Sequence, residues 1–140
     1  MKTKGRRGAS AVEFAIVLPL LILLLFGIVE FGLLLYDKAV LTNASREGAR
    51  AGVVRQNPRP TDAQIRTVVR QYCDGKLITF GGDTVTDGDI AIARYTNANG
   101  EDVLQVSVSY RYDFLLLPNF IGQGFPGLVN LQASTVMRLE

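Results

Sequence analysis

The sequence has no histidine and no tryptophan, and its only cysteine is Cys73. Without histidine, neither a Ser-His-Asp triad nor a Cys-His pair can form, and the usual zinc constellations are missing. A phosphate-binding loop of the GxxxxGK type does not occur either. Cys73 cannot close a disulfide within the chain, so we expect it to be a buried small apolar group, with pairing to another chain as the alternative. The sequence therefore predicts no enzyme, no cofactor and no small-molecule substrate.

Acidic side chains invite a metal-binding interpretation at only one place, where Asp83, Asp87 and Asp89 lie close together. Oxygen ligands of this kind suit calcium, but their spacing does not follow the EF-hand pattern. Turns also favour aspartate for local hydrogen bonding. We therefore predict turns here rather than a metal site.

Charge is absent from a long stretch near the N-terminus. Phe14 to Val29 are 16 uncharged residues, and with Glu30 tolerated the apolar stretch reaches Tyr36, a total of 23 residues. About 20 residues are enough to cross a bilayer as a helix. Four of the 15 basic residues, and none of the 13 acids, lie in the first eight positions. Positive charge favours the cytoplasmic side, so we expect the part of the chain after the apolar stretch to lie outside. That part shows no basic face, so the sequence predicts no nucleic-acid partner.

The apolar stretch resembles an anchor more than a removable secretory signal. A secretory signal has small residues directly after its apolar core, whereas the residues here are "EFGLLLYDKAV". The small residues lie on the other side, from Gly8 to Ala11. Glycine leaves the backbone accessible and free to extend, which would suit entry into a protease cleft at the cytoplasmic face.

The string "GASAVEFAIVLPLLILLLFGIVEFG", residues 8 to 32, resembles TadE-like pseudopilins, the minor pilins of tight-adherence (Flp-type) pili. "ASREGARAGVV" at 44–54 and "LQASTVMRLE" at 131–140 are similar to the same family. The resemblance implies that a prepilin peptidase cuts between Gly8 and Ala9, with Glu13 and Phe14 recognised during processing or assembly. It also implies that Glu13 meets the new α-amino group of a neighbouring subunit.

A role in initiating or assembling the pilus follows from this resemblance. The expected partners are other minor and major pilins, the inner-membrane assembly platform and the lipid bilayer. The chain would cross the bacterial inner membrane once, with its C-terminal domain in the periplasm, and could enter the pilus. The alternatives are an uncleaved single-pass envelope protein with a small binding domain, or a pseudopilin of a secretion system.

Four further residues are candidates for helix packing in the membrane. Pro19 removes a backbone donor and should bend the helix, which a neighbouring helix can compensate. Gly27 and Gly32 flank Glu30, and small residues permit close helix approach. A carboxylate in lipid is costly unless it is paired or lies near an interface. The sequence leaves open whether Glu30 is paired or interfacial.

The helix should continue beyond the membrane, from about Ala11 to Gln56. A strip of mostly small residues at helical spacing would dock against a sheet, with a partner helix as the alternative: Val40, Leu41, Ala44, Gly48 and Ala51. The expected organisation is a cytoplasmic leader at 1–8, a long helix at 9–56 whose transmembrane half covers about 12–36, and a periplasmic α+β domain at 57–140. Thr61 and Gln64 form a capping box that should begin a second helix over 61–73.

After Gly75 the apolar period changes to two, which predicts strands. "KLITF" at 76–80 is predicted to be a short strand, Asp87-Gly88 a hairpin turn, and 104–114 and 131–139 two longer strands. An apolar loop at 115–125 would be a contact site or would pack on the sheet edge. The fold class is α+β, with three to five antiparallel strands.

Overall fold

A computed structural model of the chain describes residues 4–114 and 128–139. In chain order, its elements are α1 (Lys4–Val53), α2 (Asp62–Cys73), a 3-10 turn (Asp87–Asp89), β1 (Ile90–Thr96), β2 (Asp102–Asp113) and β3 (Leu128–Arg138). Two helices and an antiparallel sheet confirm the α+β class. The apolar loop predicted at 115–125 lies outside the described residues. The chain forms two compact units whose boundary falls within α1, between Gly32 and Leu33.

The described helical part of the first unit is α1 up to Gly32. α1 begins at Lys4, earlier than the expected Ala11, and it contains Pro19. Large apolar side chains remain exposed along this part of the helix, for example Ile16 at 72% and Leu20 at 66%. Long apolar side chains have high helix propensity, but nothing in this part of the described chain covers most of them.

The second unit contains the rest of α1, α2 and the sheet. The strand order is β1-β2-β3, and both pairings are antiparallel. In the central register, Ile92 lies opposite Val106, which lies opposite Thr135. Alternate residues of β2 are buried, as the period of two predicted. Burial of one face stabilises this sheet, because isolated strands are only marginally stable in water.

The small strip of α1 is largely buried, as predicted. Val40, Leu41, Ala44 and Gly48 are buried, while Ala51 is only partly covered. Ser45 Oγ lies 2.7 Å from Thr135 Oγ1 on β3. Their small side chains let the helix approach the sheet closely.

α2 begins where the capping box predicted it. Gln64 N donates to Thr61 Oγ1 at 3.3 Å, and Thr61 N donates to Gln64 Oε1 at 2.8 Å. These two bonds satisfy backbone donors that a helix N-terminus leaves unpaired. The helix buries Ile65, Val69 and Cys73.

Two predictions between α2 and β1 are wrong. The segment 76–80 forms a turn-containing loop and not a strand, because Ile78 N donates to the side chain of Asp37 rather than to a neighbouring strand. Asp87 and Gly88 belong to the 3-10 turn that leads into β1, not to a hairpin. Asp89 Oδ2 accepts bonds from Thr86 N at 2.9 Å and from Thr86 Oγ1 at 2.6 Å, which fixes this turn locally.

Candidate functional site

The proposed processing segment lies within the first turns of α1. Gly8, Ala9, Glu13 and Phe14 are helical and exposed, Phe14 at 62%. Residues four apart lie on the same helix face, about 6 Å apart along the axis. Ala9 and Glu13 therefore share a face. An α-amino group created at Ala9 would lie at the start of the helix, on the face that carries Glu13.

The apolar part of α1 presents an uncovered surface. Gly8–Val53 is a helix long and apolar enough to cross a membrane, and none of its most apolar 18-residue window is buried within the chain. A contiguous exposed patch of this kind marks contact with lipid or with another protein. At the far end of the predicted span, Leu35 is 51% and Tyr36 is 48% exposed.

The four residues predicted to serve helix packing differ in exposure. Gly32 is exposed and Gly27 is partly covered, and a Cβ added at either would meet nothing within 4 Å. Pro19 is exposed. Glu30, by contrast, is fully buried. The chain itself therefore covers Glu30 while leaving the two glycines and Pro19 accessible.

Asp37 is a buried carboxylate at the first position after the predicted span of about 12–36. It is 0% exposed, and its Oδ1 accepts a hydrogen bond of 2.9 Å from Ile78 N. Among the described residues, Oδ2 has no hydrogen-bond partner. Burial raises the pKa of Asp37, and the bond from Ile78 opposes that rise. The side chain attaches the loop after α2 to the helix.

Neighbouring groups show which end of the sheet Asp37 faces. Burial raises the pKa of Tyr110, and the charges of Asp37 and then Asp113 add to that rise. Lys38 Nζ donates to the backbone oxygen of Gln132 on β3. The end of the sheet where β2 finishes therefore lies beside the exit of α1 from the predicted span.

The sequence patterns placed the end of the span at about residue 36 and assigned no contact to Asp37. A signal was present, because Asp37 precedes Val40, Leu41 and Ala44 at spacings of three, four and seven. Those spacings place it on the strip that docks against the sheet. A charge on that strip should have indicated a buried carboxylate.

The remaining candidates form no metal-binding cluster in the part of the chain that the structure describes. No group of three or more Cys, Asp or Glu side chains could hold a metal ion there. Cys73 is buried, and burial raises its pKa to about 11. Its thiol is therefore protonated at neutral pH and poorly nucleophilic.

Comparison with known proteins supports the resemblance found in the sequence. The family model described as "TadE-like protein" matches residues 8–50. This match confirms the predicted resemblance for that segment. Comparisons with curated proteins and with solved structures gave no match.

Proposed function

We propose that the chain is a minor pilin, or pseudopilin, that helps to initiate or assemble a tight-adherence pilus. The observation that carries the proposal is that the family match at 8–50 coincides with the helix that has an uncovered apolar surface. In this proposal α1 crosses the inner membrane over about 12–36, with residues 1–8 in the cytoplasm and the second unit in the periplasm. Prepilin peptidase, other pilins and the assembly platform are its partners.

Processing is hydrolysis of the peptide bond between Gly8 and Ala9. Water adds across that bond, leaving a carboxylate on Gly8 and a free α-amino group on Ala9. The bond lies inside α1, so the first helical turns must unwind before a protease can hold it in an extended form. Glycine destabilises a helix by about 1 kcal/mol relative to alanine, which makes this local opening easier.

Cleavage also changes the electrostatics of α1. It removes the four basic side chains of the leader and places a positive amine at the new helix N-terminus. The helix dipole disfavours a positive charge there and favours a carboxylate such as that of Glu13. A neighbouring subunit's Glu13 would offset the unfavourable amine in an apolar bundle, where leaving either charge unpaired is costly. Glu13 therefore selects the register between subunits.

Mass spectrometry of the full chain tests processing. Co-expressed with its prepilin peptidase, the chain should acquire an N-terminus at Ala9. Gly8→Leu should prevent cleavage because its bulky side chain cannot enter a cleft shaped for glycine, whereas the matched change Gly5→Leu should not. An intact leader in the presence of the peptidase would instead support an uncleaved envelope protein.

A separate measurement tests the role of Glu13. Glu13→Gln keeps the shape of the side chain and removes its charge, so membrane insertion and cleavage should persist while co-purification with partner pilins and piliation decline. Glu47→Gln is the control, since Glu47 pairs with Arg50 at 2.9 Å on the exposed side of α1. Normal piliation with Glu13→Gln would contradict the proposed pairing.

A further inference from the structure

The loop from Leu77 to Gly82, called here the 77–82 loop, lies next to the position where α1 would leave the bilayer. Its Ile78 N donates to Asp37 Oδ1 at 2.9 Å, and Asp37 directly follows the proposed span. Two residues of chain reach at most about 7 Å, so Phe80 is close to the same level. The headgroup layer is about 5–8 Å deep on each side of the hydrocarbon. The loop is therefore within reach of the membrane surface.

The tip of this loop has an unusual backbone for its residue type. Gly82 N donates to Thr79 O at 2.7 Å, and the two central residues, Phe80 and Gly81, have φ of 46° and 86°. Positive φ at both positions defines a type I′ turn, which glycine and asparagine adopt readily. Phe80 is the one non-glycine residue with positive φ in the described chain. A bulky aromatic residue there is strained.

Packing of the Phe80 side chain against the domain offsets little of that strain. Phe80 remains 45% exposed, so nearly half of its surface stays uncovered by the chain. Strained positions persist where function requires them. The turn therefore holds a half-exposed aromatic ring in the loop that bonds to Asp37.

The surroundings of Phe80 favour lipid as its partner. Leu35 and Tyr36, at the helix exit, are also exposed by 51% and 48%. Lys76, just before the loop, has its Nζ 3.5 Å from the centre of the Tyr72 ring. Aromatic side chains are enriched at both membrane–water interfaces, and lysine side chains can place their charge in the headgroup layer. Asp83, directly after the loop, carries a negative charge that opposes binding to anionic lipid.

We propose that the 77–82 loop is a second membrane contact, in which the ring of Phe80 inserts into the headgroup layer beside α1. This inference rests on the proposed membrane anchoring of α1. The contact holds the periplasmic unit against the bilayer surface while the chain resides in the membrane. It is released when the chain is withdrawn into a pilus.

Fluorescence of single-tryptophan variants tests this contact, because the natural chain contains no tryptophan. Phe80→Trp places the probe in the loop, and Tyr95→Trp is the matched control, since Tyr95 is also 45% exposed. Tyr95 pairs with Val103, which is seven strand residues, or about 23 Å, from Tyr110 at the membrane-facing end. Its probe should remain in water.

Both full-length variants are reconstituted into vesicles of zwitterionic and anionic phospholipid, with and without bromine on the acyl chains. F80W emission should shift to shorter wavelength and lose intensity, most with bromines near the headgroup end, because interfacial insertion is only about 5–10 Å deep. Iodide in the water should quench Y95W and spare F80W. A cooperative denaturant-unfolding transition close to that of the natural chain verifies that each variant is folded.

The outcomes separate this inference from the proposed anchoring. A chain that alkaline carbonate extracts from the vesicles is not anchored, and the proposed function itself then fails. A chain that resists extraction while F80W is quenched by iodide and not by bromine overturns the membrane contact alone. Emission that shifts without bromine quenching, and only when partner pilins are added, also overturns it because the loop then binds protein.

Discussion

Replacing Gly52 by alanine tests how closely α1 approaches the sheet. A Cβ added at Gly52 would lie 2.7 Å from Ile65 Cδ1 on α2, and closer still to Leu104 Cδ2 on β2. Attractive carbon contacts need about 3.5–4.0 Å. Both atoms are ends of flexible side chains, but Ile65 and Leu104 are 0% exposed, so any shift takes place inside a close-packed core. We expect Gly52→Ala to destabilise the second unit.

The size of the effect is the difference between two terms. Alanine in place of glycine stabilises a helix by about 1 kcal/mol, while overpacking a core costs about 1–3 kcal/mol. Because two buried side chains must shift, the upper part of that range applies, and the net loss should be about 1–2 kcal/mol. Gly32→Ala is the control, since its Cβ would meet nothing within 4 Å.

Denaturant unfolding of the full chain in detergent measures this loss. The signal is the near-ultraviolet circular dichroism of tyrosine, because Tyr112 is 0% exposed within the domain, whereas far-ultraviolet helicity would include the micelle-bound part of α1. Gly52→Ala should lower the free energy of unfolding and Gly32→Ala should not.

A second substitution makes the test specific for the contact. Leu104→Ala alone should cost about 2–5 kcal/mol, because it leaves a cavity. The methyl group of Gly52→Ala would project into that cavity, so the double variant should be more stable than the sum of the two losses by about 1–2 kcal/mol. Effects that add within about 0.5 kcal/mol would show that the two positions do not interact, and the close approach described here would be refuted.

Three smaller predictions follow from side chains with known partners. Burial raises the pKa of Asp37 in the folded state, so the native chain binds the proton of this carboxyl group more tightly than the unfolded chain does. The contribution of Asp37 to the free energy of unfolding therefore falls as pH rises from the ordinary aspartate pKa through the raised one. Asp37→Asn should remove that slope from unfolding midpoints measured against pH; identical slopes would contradict the assignment. The thiol of Cys73, with a pKa of about 11, should react with a maleimide only after denaturation, and rapid labelling of the folded chain would show that it is accessible. Thr61→Ala should cost about 1 kcal/mol in urea unfolding by removing the cap on Gln64 N, whereas Thr67→Ala, whose hydroxyl bonds Ala63 O within α2, should cost less.

Local patterns were enough to predict most of the fold. The capping box at Thr61 and Gln64 is contained within four residues, and it correctly marked the start of α2. Alternation along β2 and β3 identified both strands, because a sheet with one buried face imposes a period of two. The strip of small residues on α1 predicted its docking face in a similar way, because a helix with one buried face imposes a period near four. In each case a few consecutive residues carry the whole signal.

The errors occur where a distant partner determines the local structure. "KLITF" has the composition of a strand, yet Ile78 N bonds to Asp37, which lies 41 residues earlier. A backbone N–H that donates to a side chain cannot also donate to a neighbouring strand. The positive φ of Phe80 is equally hidden, since aromatic residues normally avoid it. The spacing of Asp37 signals its burial, but its pairing with Ile78 and the positive φ of Phe80 have no sequence signal independent of the tertiary fold.

The burial of carboxylates along α1 bears on how subunits would associate. Before Lys38, the sequence has three acids, at Glu13, Glu30 and Asp37. The chain covers Glu30 and Asp37 completely, and Glu13 alone of the three is exposed. A carboxylate already enclosed by its own chain cannot pair with a second subunit unless that chain opens. Glu13 therefore remains the acid on this part of α1 that can meet an external amine without unfolding, and substitution of Glu30 or Asp37 should act first on the stability of the single chain.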